Sequence, residues 1–266
     1  PPPRAAADRH GKTMSVTASG FRFKVMTVNI HKGFTPLNRR FMLHELRQAV
    51  RTVGAEVVFL QEVLGAHADL AHHPDAVRAP HYEYLADTIW PEFAYGRNAA
   101  TPTGHHGNAL LSKFPIRRHQ NRDVSVGAPE RRGLLHCVLQ VPGRGLELHA
   151  VCVHLGLKEA HRRRQLELLC RLLAEEVPRE APLVVAGDFN DWRARAHSVL
   201  GRCAGLHEVF AHANGQAART FPARLPLLRL DRIYVRNAAV HRPVVLPRRP
   251  WTHLSDHAPL AAEVTL

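Results

Sequence analysis

Leu183-Val184-Val185-Ala186-Gly187-Asp188-Phe189-Asn190 opens on four consecutive apolar residues and then meets an acid. An apolar run without alternation reads as a strand buried on both faces. Upstream, Lys158–Val177 reads as a helix with Leu166, Leu169, Cys170 and Leu173 on one stripe, broken by Pro178 and Pro182. Open α/β sheets place their ligands at the carboxyl ends of such strands. The same order occurs earlier in the chain. A helix capped by Asn38 and running to about Val53 carries Met42, Leu46, Ala49, Val50 and Val53 on one face, and Gly54 closes it. Val57–Leu60 follows as a buried strand and runs into Gln61-Glu62. Two such edges in one chain point to two sheet halves that share a site.

Around these units the pattern is mostly β. Phe21–Ile30 reads as a first strand. Leu134–Val141 and Leu146–His154 alternate and read as a hairpin over Pro142-Gly143-Arg144-Gly145. Asn108–Ser112 is a further strand after a loop over Arg97–Gly107, and Leu228–Val235 and Ala258–Thr265 are late strands. Nothing marks a linker or a repeat, so residues 21–266 are expected to form one domain. Residues 1–20, with Arg4, Arg9 and Lys12 but no apolar stretch, read as a flexible tail without a signal peptide, and Met14 as a candidate start.

The chain has 266 residues, of which 45% are hydrophobic and 22% charged. That composition excludes a disordered chain, a fibrous repeat or a small disulfide scaffold. Its apolar runs are too short to span a bilayer, so no transmembrane segment is expected. Lys and Arg outnumber Asp and Glu 36 to 23, a net charge of +13 with 20 histidines in reserve. Such a balance favours anionic partners, against the plain alternative of compositional drift. Cys137, Cys152, Cys170 and Cys203 lack C-x-x-C spacing and read as reduced, buried small hydrophobes. The cytoplasm is the default compartment.

Several polar residues fall where a core strand should be. Asn29 lies in the first strand, Asp188 and Asn190 follow a buried one, Asp231 interrupts Leu227–Val235, and Asp256-His257 precedes Ala258-Pro259-Leu260. A carboxylate on a core strand costs several kcal/mol unless paired, hydrogen-bonded or metal-bound. Turn formation explains any one of them, but not the whole set.

The blocks Val28-Asn29-Ile30-His31-Lys32-Gly33, Phe59-Leu60-Gln61-Glu62-Val63, Gly107–Ser112, His154-Leu155-Gly156-Leu157, Gly187–Asn190, Leu230-Asp231-Arg232-Ile233 and Ser255–Pro259 occur in this order. In this the chain resembles the endonuclease/exonuclease/phosphatase superfamily, the deoxyribonuclease-I-like fold, and an uncharacterised bacterial branch of it. The resemblance covers Phe21 to about Leu266. It implies a four-layer α/β sandwich, two packed mixed β-sheets flanked by helices. It also implies a Mg²⁺-dependent phosphoesterase, with Mn²⁺ as an alternative ion.

Carried over residue by residue, the resemblance makes Glu62, with Asn29 beside it, the main cation ligand. Asp256 is a second ligand or holds the scaffold. Asp188 aligns or deprotonates the attacking water, Asn190 donates to a phosphoryl oxygen, and Asp231 orients His257 as acid, base or charge stabiliser. His154 occupies the slot used by the deoxyribonuclease and sphingomyelinase branches. The absence of Tyr between Tyr95 and Tyr234 argues against an abasic-site enzyme. His31, Lys32, Asn108 and Trp251 are candidates for substrate contact, with Trp251 equally readable as core. Arg39, Arg40, Arg162-Arg163-Arg164 and Arg248-Arg249 could follow a polyanion or be solvated surface. The doublets His72-His73 and His105-His106 read as loop histidines without a third metal ligand.

The substrate favoured by charge is nucleic acid. Phospholipid or a small phosphate ester is the alternative, against which stands the lack of an evident hydrophobic insertion loop. A catalytically silent binding scaffold is the reading from another class. A monomer is expected.

Overall fold

The computed structural model describes residues 20–35, 40–67, 77, 79–127 and 130–266. Residues 1–19 of the expected tail, and with them Met14, lie outside the described residues, as do Asn38, Arg39, His72 and His73.

Two six-stranded sheets carry the fold. The first contains, in spatial order, β11 (Ala239–Val245), β12 (Leu260–Thr265), β1 (Arg22–Asn29), β2 (Val57–His67), β4 (Gly104–Ser112) and β3 (Glu92–Thr101). The second contains β5 (Ile116–Asp123), β6 (Gly133–Gln140), β7 (Glu147–His154), β8 (Leu183–Asp188), β10 (Asp231–Arg236) and β9 (His207–Glu208). Each sheet has one parallel pair, β1 with β2 and β7 with β8. Parallel neighbours need a crossover, and helices supply both. Helix α1 (Leu43–Val53) joins β1 to β2, and α3 (Glu159–Glu176) joins β7 to β8. These are the two helix–strand–acid units legible in the sequence.

The packing has four layers. Between the sheets lies a core that includes Phe23, Val25, Phe59, Leu110, Leu135, Leu139, Val184 and Ile233. Burying a side chain such as Phe59 completely contributes about 2–3 kcal/mol. The outer face of the first sheet packs on α1, α2 (His81–Ala86) and α6 (Arg248–Leu254) through Val28, Leu60, Leu46, Leu85 and Leu254. The outer face of the second packs on α3 and α4 (Arg195–Ala204) through Val151, Val185, Leu169 and Leu200. Helix α5 (Val209–Asn214) follows β9. No helix of the described residues is long and apolar enough to cross a membrane.

Three expectations are corrected. Helix α1 begins at Leu43, not at Asn38. Arg97–Gly107 is not a loop but most of the hairpin formed by β3 and β4, so His105 and His106 are strand residues. Its half-exposed, Gly- and His-bearing strands lack the apolar alternation that marks a strand. The cysteines divide: Cys137 and Cys152 are buried and free, whereas Cys170 and Cys203 form a disulfide with Cα atoms 5.9 Å apart. It joins α3 to α4, elements that sequence spacing could not bring together.

A cross-link closing 33 residues restricts the unfolded chain by about 3–4 kcal/mol in the loop-entropy treatment. The Cys203→Ser variant is therefore expected to unfold at lower urea concentration than the oxidised protein, and to match the reduced wild type. Coincident midpoints for oxidised and reduced wild type would show that the bridge contributes nothing.

Candidate active site

Strand register sets the site. Asp188 ends β8, His154 lies opposite it on the parallel neighbour β7, and Asp231 lies opposite it on the antiparallel neighbour β10. All three are buried. Gly187 makes this edge tight. Its φ is 147°, and a Cβ there would stand 2.0 Å from the Val153 carbonyl oxygen, so no side chain fits before Asp188.

The first sheet supplies the facing wall. Between Leu60 and Val63 the register of β2 against β4 shifts, and Glu62 has a φ of 55°. This bulge turns consecutive residues to different tasks. The Gln61 side chain is buried against Thr27 and Cys152, while half-buried Glu62 reaches the site. A single nitrogen, Nδ2 of Asn29, stands 3.5 Å from Glu62 Oε1 and 3.3 Å from Asp188 Oδ2. The Asn29 Oδ1 accepts the His31 backbone N–H at 3.1 Å. In this orientation Asn29 faces both carboxylates with its donor.

Asp188 is the hub. Its Oδ1 accepts the Asn190 backbone N–H at 2.9 Å, and its Oδ2 lies 3.5 Å from His154 Nε2 and 3.8 Å from His257 Nε2. His257 Nδ1 meets Asp231 Oδ2 at 2.8 Å. Asn190 Nδ2 donates to the Leu155 carbonyl at 2.9 Å, which leaves its second hydrogen available. Asp256 Oδ2 is 3.6 Å from His31 Nδ1.

Burial and charge separate the titrating groups. Burial pushes the Asp188 pKa up to about 6, although the His257 charge opposes it. Burial alone would push His257 down, but the Asp231 and Asp188 carboxylates hold it up at about 10. His154 goes the other way. Burial, and then Arg132, His257, His106 and Lys32, drive it well below the usual histidine range. Near neutral pH the site pairs one imidazolium with one neutral imidazole across the same carboxylate.

The remaining candidates are placed as follows. Half-buried Lys32 is close enough to act electrostatically on His154 and His106. Asn108 is fully buried, and its Nδ2 donates to the carbonyls of Gly133 at 2.9 Å and Cys152 at 3.3 Å. Trp251 is buried in the core beneath α6, the second of the two places expected for it.

Sequence reasoning passed over four neighbours. Arg132 donates to the Leu155 carbonyl at 3.2 Å. His106 is electrostatically linked to Glu62 and His154. Thr220 Oγ1 accepts the Asp231 N–H at 3.2 Å, and the Phe221 ring lies 5.0 Å from that of His257. His106 stands in a stretch that the sequence reads as a loop, and no pattern in the sequence connects Arg132 to the site or Thr220-Phe221 to Asp231.

Among the described residues, Asp188, Asp231 and His257 form a group whose ligand atoms all lie within 4.8 Å and could hold a metal ion. Further hard oxygens stand on Glu62, whose carboxylate meets Asn29 at 3.5 Å, and on Asp256, whose buried Oδ1 has no hydrogen-bond partner. Carboxylate oxygens of this kind suit a divalent cation such as Mg²⁺.

The sequence profile of the Endonuclease/Exonuclease/phosphatase family matches residues 26–257. The chain belongs to this family. Family membership makes it a member of a phosphoesterase, hydrolase lineage. Relatives at the sequence level include YbhP of Escherichia coli (strain K12), described as an uncharacterized protein, 58% identical over 250 residues that cover 92% of this chain and 97% of that one. Solved structures share the fold. A Bacteroides vulgatus endonuclease/exonuclease/phosphatase superposes with a TM-score of 0.72 at 21% identity, covering 92% of this chain and 99% of that one. D. rerio TDP2, solved with a single-strand DNA product, gives 0.67 at 17% identity, with 92% and 99% covered.

The raised pKa of His257 has a consequence for stability. Unfolded, the imidazole titrates near 6.5; folded, near 10. Its contribution is complete below about 6.5 and lost as the pH rises through about 10. In EDTA, the stability advantage of wild type over His257→Gln, read from urea midpoints, is expected to shrink between pH 7 and pH 10.5. A gap independent of pH would show that the imidazolium charge does not stabilise the fold.

Proposed function

We propose that the protein is a divalent-cation-dependent phosphodiesterase, with Mg²⁺ as the ion and Mn²⁺ as a substitute. The observation that carries this reading is the meeting of Asn29, Glu62, Asp188, Asp231 and His257, drawn from both sheets, around one carboxylate.

Hydrolysis of a phosphodiester adds the oxygen of water to phosphorus and breaks one ester P–O bond. One water proton must leave the nucleophile, and one must reach the departing alkoxide. Positioning and charge neutralisation do most of the work in such transfers. In this reading the Asp188 carboxylate orients the water and accepts its proton. The His257 imidazolium, fixed in orientation by Asp231, faces the phosphoryl oxygens. The free Asn190 amide hydrogen donates to one of them. Neutral His154 supplies a hydrogen bond at the leaving side without adding charge. His31 and Lys32 bring further donors to the phosphate. Glu62 and Asp256 would hold the cation, which when bound supplies Lewis-acid stabilisation of the phosphoryl oxygens.

Two classes of phosphodiester fit this chemistry. The net charge of +13 and the D. rerio relative solved with DNA favour nucleic acid, and that reading expects cleavage to fall steeply with added salt. A phospholipid is favoured by the distribution of exposed apolar side chains, taken up below.

Release of nitrophenol from bis(p-nitrophenyl) phosphate tests the activity itself. Turnover is expected with Mg²⁺ or Mn²⁺ and none in EDTA. Asp188→Asn and His257→Gln should each lower kcat by at least ~100-fold, the first with little change in the thermal midpoint and the second with the pH-dependent loss of stability given above. Glu62→Gln should raise the Mg²⁺ concentration needed for half-maximal rate. Absence of turnover with every divalent cation would favour the scaffold reading.

A further inference from the structure

Seven large hydrophobic side chains stand exposed among the described residues: Phe93, Leu157, Trp192, Leu225, Leu227, Leu228 and Val244. Scattered singly, such residues need no explanation. Five of them are not scattered. Leu157 follows His154 at the end of β7, and Trp192 follows Asn190 at the end of β8. Leu225, Leu227 and Leu228 lie in the loop that leads into Asp231 at the start of β10, which runs antiparallel to β8. All five therefore occupy loops at the end of the second sheet where Asp188, His154 and Asp231 meet. Leu225, Leu227 and Leu157 are 60%, 55% and 59% exposed, values that leave most of each side chain in water.

The loop is built, not slack. The N–H groups of Leu227 and Leu228 both donate to the Phe221 carbonyl at 2.8 Å, and that of Leu225 donates to the Pro222 carbonyl at 2.9 Å. Its base belongs to the site, since the Ala223 N–H donates to the Asp256 carbonyl at 2.7 Å and the Phe221 ring packs on His257. Four backbone hydrogen bonds thus fix a segment whose leucines face solvent, three of them within four residues. No insertion loop is evident from the sequence because Leu227 and Leu228 run straight into the apolar residues of the strand that follows.

Charge accompanies the leucines. From Val209 to Ser255 the chain holds eight arginines and one acid, the buried Asp231. Arg224 is exposed within the loop, and Arg248 at the start of α6 donates to the Arg224 carbonyl at 2.8 Å, with exposed Arg249 beside it. Apolar side chains among arginines match a lipid interface with anionic headgroups. They match a nucleic-acid strand poorly. Bases stack on aromatic faces, leucine has none, and the Trp192 ring is covered by the Arg162 guanidinium at 4.7 Å.

We propose that the Pro222–Arg229 loop, with Arg248 and Arg249, docks the protein on an anionic phospholipid bilayer and presents a lipid phosphodiester to the site. The substrate half of this inference rests on the phosphodiesterase reading. The chemistry is the hydrolysis already written: water adds to phosphorus, one ester P–O bond breaks, and the departing oxygen takes a proton.

The test is co-sedimentation of the full chain, in EDTA, with vesicles of phosphatidylcholine alone and of phosphatidylcholine with an equal amount of phosphatidylglycerol. Binding to the phosphatidylglycerol vesicles is expected to be at least ~10-fold tighter. Leu225→Ser/Leu227→Ser and Arg248→Glu/Arg249→Glu should each weaken it at least ~10-fold, with thermal midpoints close to wild type. With Mg²⁺, the leucine variant should lose activity on these vesicles by a larger factor than on bis(p-nitrophenyl) phosphate. Absence of vesicle binding, or binding unaffected by the leucines, overturns the proposal, as does loss of single-stranded oligonucleotide binding in the leucine variant with vesicle binding intact. Vesicle binding without any turnover of the soluble diester would uphold the docking surface and refute the phosphodiesterase reading. Turnover without vesicle binding would do the reverse.

Discussion

The hydrogen bond from Asn29 to Asp188 holds the two halves of this protein to one geometry. The two residues are 159 positions apart and end strands in different sheets. From them a circuit of buried contacts runs through the whole site. Ser255 Oγ donates to the Asn29 carbonyl at 2.6 Å and accepts the His257 N–H at 3.1 Å. His257 then meets Asp231, and Asp231 pairs in register with Asp188. Buried polar groups are costly when unpaired and rigid when satisfied. Each group in this circuit fixes the next, so the sandwich cannot slide its sheets without breaking the site.

Neighbouring charges separate the two histidines that flank Asp188, although burial pushes both down. In water they would titrate together. Here His257 has two carboxylates near it and keeps its proton, whereas burial, with Arg132 and Lys32 added to it, strips the proton from His154. Low local polarity enlarges both effects, because each charge is poorly screened. Register sets His154 opposite Asp188, and the Ser255 hydroxyl, which accepts the His257 N–H, helps to seat His257 against Asp231. Electrostatic identity at this site is thus inherited from the fold, not from residue type.

That dependence explains what could be read from the sequence. The helix–strand–acid units at Asp188 and Glu62 were legible because an apolar run that stops on an acid is a local pattern. The two sheets and their helices followed from those units and from the ordered blocks. Other features need contacts distant in the chain. The Glu62 bulge is a mismatch between β2 and β4 and has no signature in either strand alone. The β3–β4 hairpin escaped notice because exposed strands need not alternate. Cys170 and Cys203 looked like isolated thiols until α3 and α4 packed together. Arg132 and Thr220 act through a neighbour's backbone, and nothing in their own surroundings marks them.

Composition also has a limit of a different kind. A charge of +13 says that the protein attracts anions, but not where. The structure adds position. The arginine-rich, acid-poor segment contains Asp231 and supplies the loop whose leucines stand in solvent. Positive charge spread alone over a groove suits a polyanion, whose own surface is charge and flat bases. Positive charge interleaved with fixed aliphatic side chains suits a surface that is anionic outside and hydrocarbon just beneath. The two arrangements have the same amino-acid content and differ only in which side chains the fold leaves exposed beside Asp188, His154 and Asp231. Exposure at the end of the second sheet, rather than the charge total, is therefore what distinguishes the two kinds of anionic partner.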